Sequence, residues 1–94
     1  MQDEEKARVD LAQRLMSFSV RIVRLCAQLP KTSEGRLVQN QLLRCGTSVG
    51  AQHREAKRAR SPAEFLSKME SAQQELDETA YWLELTEKKV KKGL

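Results

Sequence analysis

Aromatic residues are nearly missing from this chain: Phe18, Phe65, Tyr81 and Trp82 supply 4% of its 94 residues. That scarcity excludes a core of stacked rings and an array of aromatic platforms that would read unpaired bases in series. Proline occurs only at positions 30 and 62, and no stretch alternates apolar and polar residues as a half-buried strand does. The two cysteines, Cys26 and Cys45, lie nineteen positions apart within apolar helical patterns, without the paired spacing of a zinc or redox motif. They read as buried free thiols behaving as small hydrophobes. No apolar run is long enough to cross a membrane, and Asp3, Glu4, Glu5 and Asp10 near the start argue against a signal peptide, so a cytoplasmic protein is expected.

Catalytic equipment is equally thin. His53, the single histidine, has no Ser, Cys or carboxylate at a spacing that would make it a base, and it reads as a surface or interface polar residue. Glu75, Asp77, Glu78 and Glu84 supply carboxylates, but helical offsets carry Asp77 away from the others and no second ligand type accompanies them. With no nucleophile, phosphate loop or metal constellation in view, the expectation is a non-enzymatic protein without cofactor or metal.

What is abundant is helical periodicity and positive charge. Leu11, Leu15, Phe18, Ile22, Leu25 and Leu29 recur at steps of three and four, predicting a helix over about 4–29 that Pro30 terminates. A second stripe, Val9, Ala12, Met16, Val20, Val23 and Ala27, lies beside the first and widens the apolar arc beyond what one neighbour covers. A second helix, about 34–60, begins after the capping groups Thr32, Ser33 and Glu34 and carries Val38, Leu42, Cys45, Val49 and Ala56 on one face. Gly46 and Gly50 in its middle point to a close backbone approach. Ser61-Pro-Ala-Glu64 is a capping box, opening a third helix over about 62–90 with Phe65, Met69, Ala72, Leu76, Ala80 and Leu83 as its stripe. One all-α domain built as an antiparallel helical bundle of three long helices is expected, with apolar surface left for a fourth.

Seventeen Lys and Arg against thirteen Asp and Glu give a net charge of +4, which permits a polyanionic partner without requiring one. Arg54, Lys57, Arg58 and Arg60 crowd the end of the second helix, and Lys88, Lys89, Lys91 and Lys92 the end of the third. Two readings stand: nucleic-acid contact through phosphates, or cations placed at the negative end of a helix dipole. The dipole accounts for one or two cations better than for four that repel one another. Arg44, Ser48, Gln41, Gln52 and Glu55 share another face of the second helix, with Glu75 and Glu78 of the third as candidate partners of Arg44 or Arg54; a structural polar network is expected there. Trp82 suits the edge of the core or a contact between copies.

Leu29-Pro30, Gln41-Leu-Leu-Arg-Cys-Gly-Thr-Ser-Val49, Gly50-Ala51, Arg54-Glu55-Ala56, Ala59-Arg-Ser61, Glu64-Phe65 and Glu75-Leu-Asp-Glu-Thr-Ala-Tyr-Trp-Leu-Glu-Leu85 follow one another over roughly residues 10–87. These blocks resemble those of the bacterial four-helix-bundle proteins first noticed as open reading frames in intervening sequences of 23S ribosomal RNA genes. Gln52 departs from the family pattern, where Asn is common, by an amide change expected to keep a local hydrogen bond. On this resemblance a fourth helix is expected after residues 85–89, where the sequence stops, so that either the sequence is truncated there or the protein closes its core differently. The resemblance implies a homo-oligomeric ring, commonly a pentamer, with no established enzymatic activity. A similar fold serves diversity-generating retroelements as an accessory variability protein that binds a reverse transcriptase and its template RNA. An oligomeric bundle that binds nucleic acid, RNA before DNA, is the leading expectation, and a protein-interaction scaffold without nucleic-acid contact is the alternative.

Overall fold

A computed structural model describes residues 2–90, with the side chains of 89 and 90 left aside. Three helices follow in order: α1 (Gln2–Ala27), α2 (Ser33–Lys57) and α3 (Pro62–Leu85), the last running into a single π-helical turn over Thr86–Val90. The architecture is all-α, and no strand occurs among the described residues.

Each boundary has a local cause. Acidic Asp3, Glu4 and Glu5 occupy the first turn of α1, where they complement the helix dipole. Helix α1 ends two residues earlier than the periodicity predicts, because the amides of Gln28 and Leu29 close a tighter turn onto Leu25 and Cys26 ahead of Pro30. The Thr32 hydroxyl accepts from the Gly35 amide at 3.1 Å and caps α2. Gly35 is obligatory in this corner, since a Cβ would collide with the Pro30 carbonyl folded over it. Ser61 caps α3 by accepting from the Glu64 amide at 3.1 Å, with Pro62 in the first turn. Glu64 reaches back to the amide of Arg60, at 3.5 Å, where a full capping box would bring it to Ser61.

Two short corners make the helices antiparallel, and α2 is the central element: α1 and α3 each pack along it while their backbones stay apart from each other. The result is extended, 50 × 25 × 17 Å, with a radius of gyration of 15.4 Å. A compact chain of this length has a radius near 12 Å. The core gathers Ile22, Cys26 and Leu29 of the α1 end against Val38 and Leu42 of α2, flanked by Phe18, Leu25, Trp82, Leu83 and Leu85. Both thiols are buried and unpaired with each other, and burial together with the neighbouring Cys45 pushes the Cys26 thiol up from its ordinary value.

Two expectations about the stripes change here. The first α1 stripe packs on α2, Leu11 apart, but Val9, Met16, Val20 and Val23 of the second stripe are exposed. In α3 the buried line runs through Ala72, Thr79 and Thr86, so Phe65, Leu76 and Ala80 face outward. Both threonines tolerate full burial because each hydroxyl donates to the carbonyl four residues back, Thr79 to Glu75 at 2.7 Å and Thr86 to Trp82 at 2.8 Å.

Candidate nucleic-acid interface

The corner between α2 and α3 gathers Arg54, Lys57, Arg58 and Arg60 within seven positions. Helix α2 stops at Lys57, three residues before the expected Arg60, and the Arg58 amide donates to the Glu55 and Ala56 carbonyls as the C-cap. The chain turns between Arg58 and Arg60, which divides the four cations. Arg54, Lys57 and Arg58, with Glu55 among them, line a groove of about 690 Å³ between α1 and α2, whose floor is Ala12, Leu15, Met16, Gly50 and Ala51. Arg60 falls instead beside a smaller recess of mixed charge shared with Glu55, Glu64 and Lys68, and Arg58 stands between the two, lining both.

All four cations are exposed, and among the described residues none of them forms an ion pair. The nearby carboxylates are taken: Glu55 accepts from Lys68 Nζ at 2.9 Å, and Glu64 serves the cap. Hydrogen bonding and charge from Glu55, with a lesser contribution from Glu64, hold the Lys68 ammonium above its ordinary pKa. His53 is half-buried in the wall of the groove, and burial, reinforced by the Lys57 charge, lowers its pKa from the ordinary 6.5. A neutral imidazole therefore faces the cationic rim at neutral pH.

Lys88 does not join this surface. Helix α3 has 24 residues between the two basic runs, about 36 Å of rise, so Lys88 sits at the opposite end of the molecule. Lys88 pairs with Glu84 at 3.3 Å in an exposed i,i+4 bridge of the weak kind. The Lys89 side chain, Lys91 and Lys92 lie outside the described residues.

The polar face of α2 also divides. Arg44 donates to Glu75 at 3.4 Å, to Gln41 at 3.1 Å and to Glu78, joining α2 to the middle of α3. Ser48 donates to the Arg44 carbonyl at 2.6 Å. Glu55 stands apart from this network, because three helical turns separate it from Arg44 and Lys68 lies opposite it on α3. Sequence reasoning missed Lys68 and Gln39, whose amide donates to the Cys26 carbonyl at 3.1 Å and clasps α1 to α2. Their positions depend on helix register across two corners, which no periodicity carries. Gln52 does not keep the hydrogen bond expected of its amide: its oxygen and the Trp82 indole nitrogen are buried without a protein partner. Trp82 packs at the core edge, with Tyr81 edge-on at 5.1 Å.

Three antiparallel helices with a cationic corner and no grouping of three or more metal-ligating side chains among the described residues define a small helical-bundle protein with a charged groove. The model of the 23S rRNA-intervening sequence protein family matches residues 7–90, and the chain belongs to that family. It is similar to a protein of unknown function from the S23 ribosomal protein family of Bacteroides thetaiotaomicron, known from a crystal structure. The two are 43% identical, with a TM-score of 0.74, over 80% of this chain and 69% of that one. Among curated proteins none matches. No helix among the described residues is long and apolar enough to cross a membrane.

Proposed function

We propose that this is a non-enzymatic nucleic-acid-binding protein, with RNA as the first ligand to test, that grips phosphates through Arg54, Lys57, Arg58 and Arg60. The supporting observation is that these cations stay exposed without ion pairs while the carboxylates beside them are engaged elsewhere. Cations that only settled the α2 dipole would need one or two positions in its last turn, and four at one corner repel each other in the absence of an anion. The protein works in the cytoplasm, where Cys26 and Cys45 stay reduced. Binding is directed to the backbone and is salt-dependent, with a log–log slope of about −0.7 per phosphate neutralised on a single strand and about −0.9 on duplex.

A second reading, favoured by the exposed stripe Val9, Met16, Val20 and Val23, is an assembly module. Its apolar faces join copies into a homo-oligomer, a pentamer by family resemblance, or dock a partner such as a reverse transcriptase. A ring repeats the cationic corner around an axis, so the two readings reinforce one another.

The test is an anisotropy titration of a structured RNA and a matched duplex DNA at low and moderate salt. Wild type is compared with the Arg54→Gln, Lys57→Gln, Arg58→Gln, Arg60→Gln variant after light scattering shows equal mass. Salt-sensitive binding by wild type that the variant loses is expected. Equal binding by both, or none by either, would refute the phosphate reading.

A further inference from the structure

The groove beside Arg54 has a feature that phosphate contact alone leaves unused. Its cationic rim stands over an aliphatic floor in which Ala12, Leu15 and Met16 of α1 face Gly50 and Ala51 of α2. A free phosphate has no use for that floor. Neither does a duplex, whose bases are paired and turned inward so that only its backbone meets the protein. A volume of about 690 Å³ lies within the roughly 300–1,000 Å³ typical of clefts that hold small organic ligands.

Resting on the nucleic-acid reading above, we infer that the α1/α2 groove takes an unpaired base of a single-stranded or bulged nucleic acid, with the flanking phosphates held by Arg54, Lys57 and Arg58. The ligand joins the two halves of the site. Its base faces are apolar and bury against Leu15 and Met16, while its backbone carries the charge that the exposed cations lack. Ser19 and the His53 imidazole line the same groove and offer hydrogen-bonding groups to a base edge. Depression of the His53 pKa by burial keeps that ring neutral, able both to donate and to accept. Among the described residues no Phe, Tyr or Trp lines the groove, so base contact here is mainly aliphatic, with the His53 imidazole as its one ring, and tolerant of sequence.

Gly50 and Ala51 keep the floor open. A Cβ at Gly50 would meet its nearest neighbours, Ser19 Oγ and Leu15 Cβ, only at 3.6 and 3.8 Å. Larger side chains on the floor therefore fill the groove from exposed or half-exposed positions without entering the core, and Ala12→Leu with Ala51→Leu does so using a strong helix former.

The experiment uses a single-stranded RNA carrying one fluorescent purine analogue, the duplex it forms with its complement, and three proteins: wild type, the Ala12→Leu/Ala51→Leu variant and the four-Gln variant. The single strand is expected to bind wild type about tenfold or more tighter than the duplex, in keeping with the loss of one base contact. The groove-filled variant lowers the single strand to the duplex level, leaves the duplex unchanged and abolishes the emission change of the buried analogue. Equal affinities for the two forms, unmoved by filling the groove, would overturn the base-in-groove inference while leaving the phosphate reading intact. No binding at low salt, or full binding by the four-Gln variant, would overturn that reading itself. Light scattering accompanies each titration to separate binding from assembly: a changed mass with unchanged RNA affinity assigns the groove to a contact between copies and also sinks the proposal.

Discussion

Replacing Gly46 and Gly50 separately by Ala sends stability in opposite directions, although the two residues lie one helical turn apart. A Cβ at position 46 would stand 2.8 Å from Ile22 Cγ2 and 3.0 Å from Cγ1. Ile22 cannot step aside: it is β-branched, held in one rotamer by its own helix and only 3% exposed. The overpacking costs about 1–3 kcal/mol, against a helix-propensity gain of about 1 kcal/mol. The net is a loss of up to about 2 kcal/mol, or as much as about 16 °C in Tm at roughly 4–8 °C per kcal/mol for a domain of this size. At position 50 the nearest neighbours are at ordinary contact distance, so the propensity gain of about 0.4–1 kcal/mol stands alone and raises Tm by about 2–8 °C. Thermal unfolding followed by far-ultraviolet circular dichroism reads both, with sucrose added equally to all samples to keep the weakest variant folded. In an Ile22→Ala background the clash is gone and Gly46→Ala turns stabilising, giving a coupling of about 1–3 kcal/mol across the double-mutant cycle. If Gly46→Ala stabilised wild type as much as Gly50→Ala does, the close approach of α1 to α2 at that point would be wrong.

Ser61→Ala removes the acceptor of the Glu64 amide and costs about 1 kcal/mol in denaturant unfolding, whereas Ser61→Asp retains most of the stability; equal losses for both would show that the cap does not hold the corner. The His53 pKa is depressed in the folded state, so on acidification the unfolded chain takes up the proton first. Stability is therefore fully present above pH 6.5 and falls as the pH drops through that value toward the lower folded pKa. A Tm series between pH about 5 and 8 should lose part of its slope in His53→Gln, and a Tm that rises on acidification specifically through His53 would contradict the burial.

The three helices and the corner at Ser61 were legible because they rest on local chemistry: period, proline, capping hydroxyl and glycine act within a few residues. The ends of α2 and α3 were less so. Periodicity continues through Arg58 and Arg60, but the α2 ladder closes at Arg58, and past Leu85 the α3 ladder loosens into a π turn. A stripe built from apolar side chains alone missed the buried line of α3, since Thr79 and Thr86 satisfy their hydroxyls on the carbonyls four residues back and then pack as β-branched apolar residues. The same misreading placed Phe65 and Leu76 in the core, where the structure leaves them 45% and 41% exposed.

The candidate site shows the same division. That cations crowd the sequence around Arg54–Arg60 is evident from the residues themselves; that three of them rim a groove with α1 while Arg60, beside Arg58, lies against Glu55, Glu64 and Lys68 depends on where the backbone leaves α2. The partnership of Glu55 with Lys68 rather than Arg44, and the separation of Lys88 from the corner by the length of α3, likewise follow from how antiparallel neighbours fall into register.

By itself the sequence determined the helices, their order, their corners and the sign of the charge, because each is set by groups a few bonds or one turn apart. Which apolar stripe is buried, which cation stays without a carboxylate and which side chains share a groove were decided only by tertiary structure. Those outcomes depend on distances between residues far apart in the chain, fixed when α1 and α3 each settle along α2.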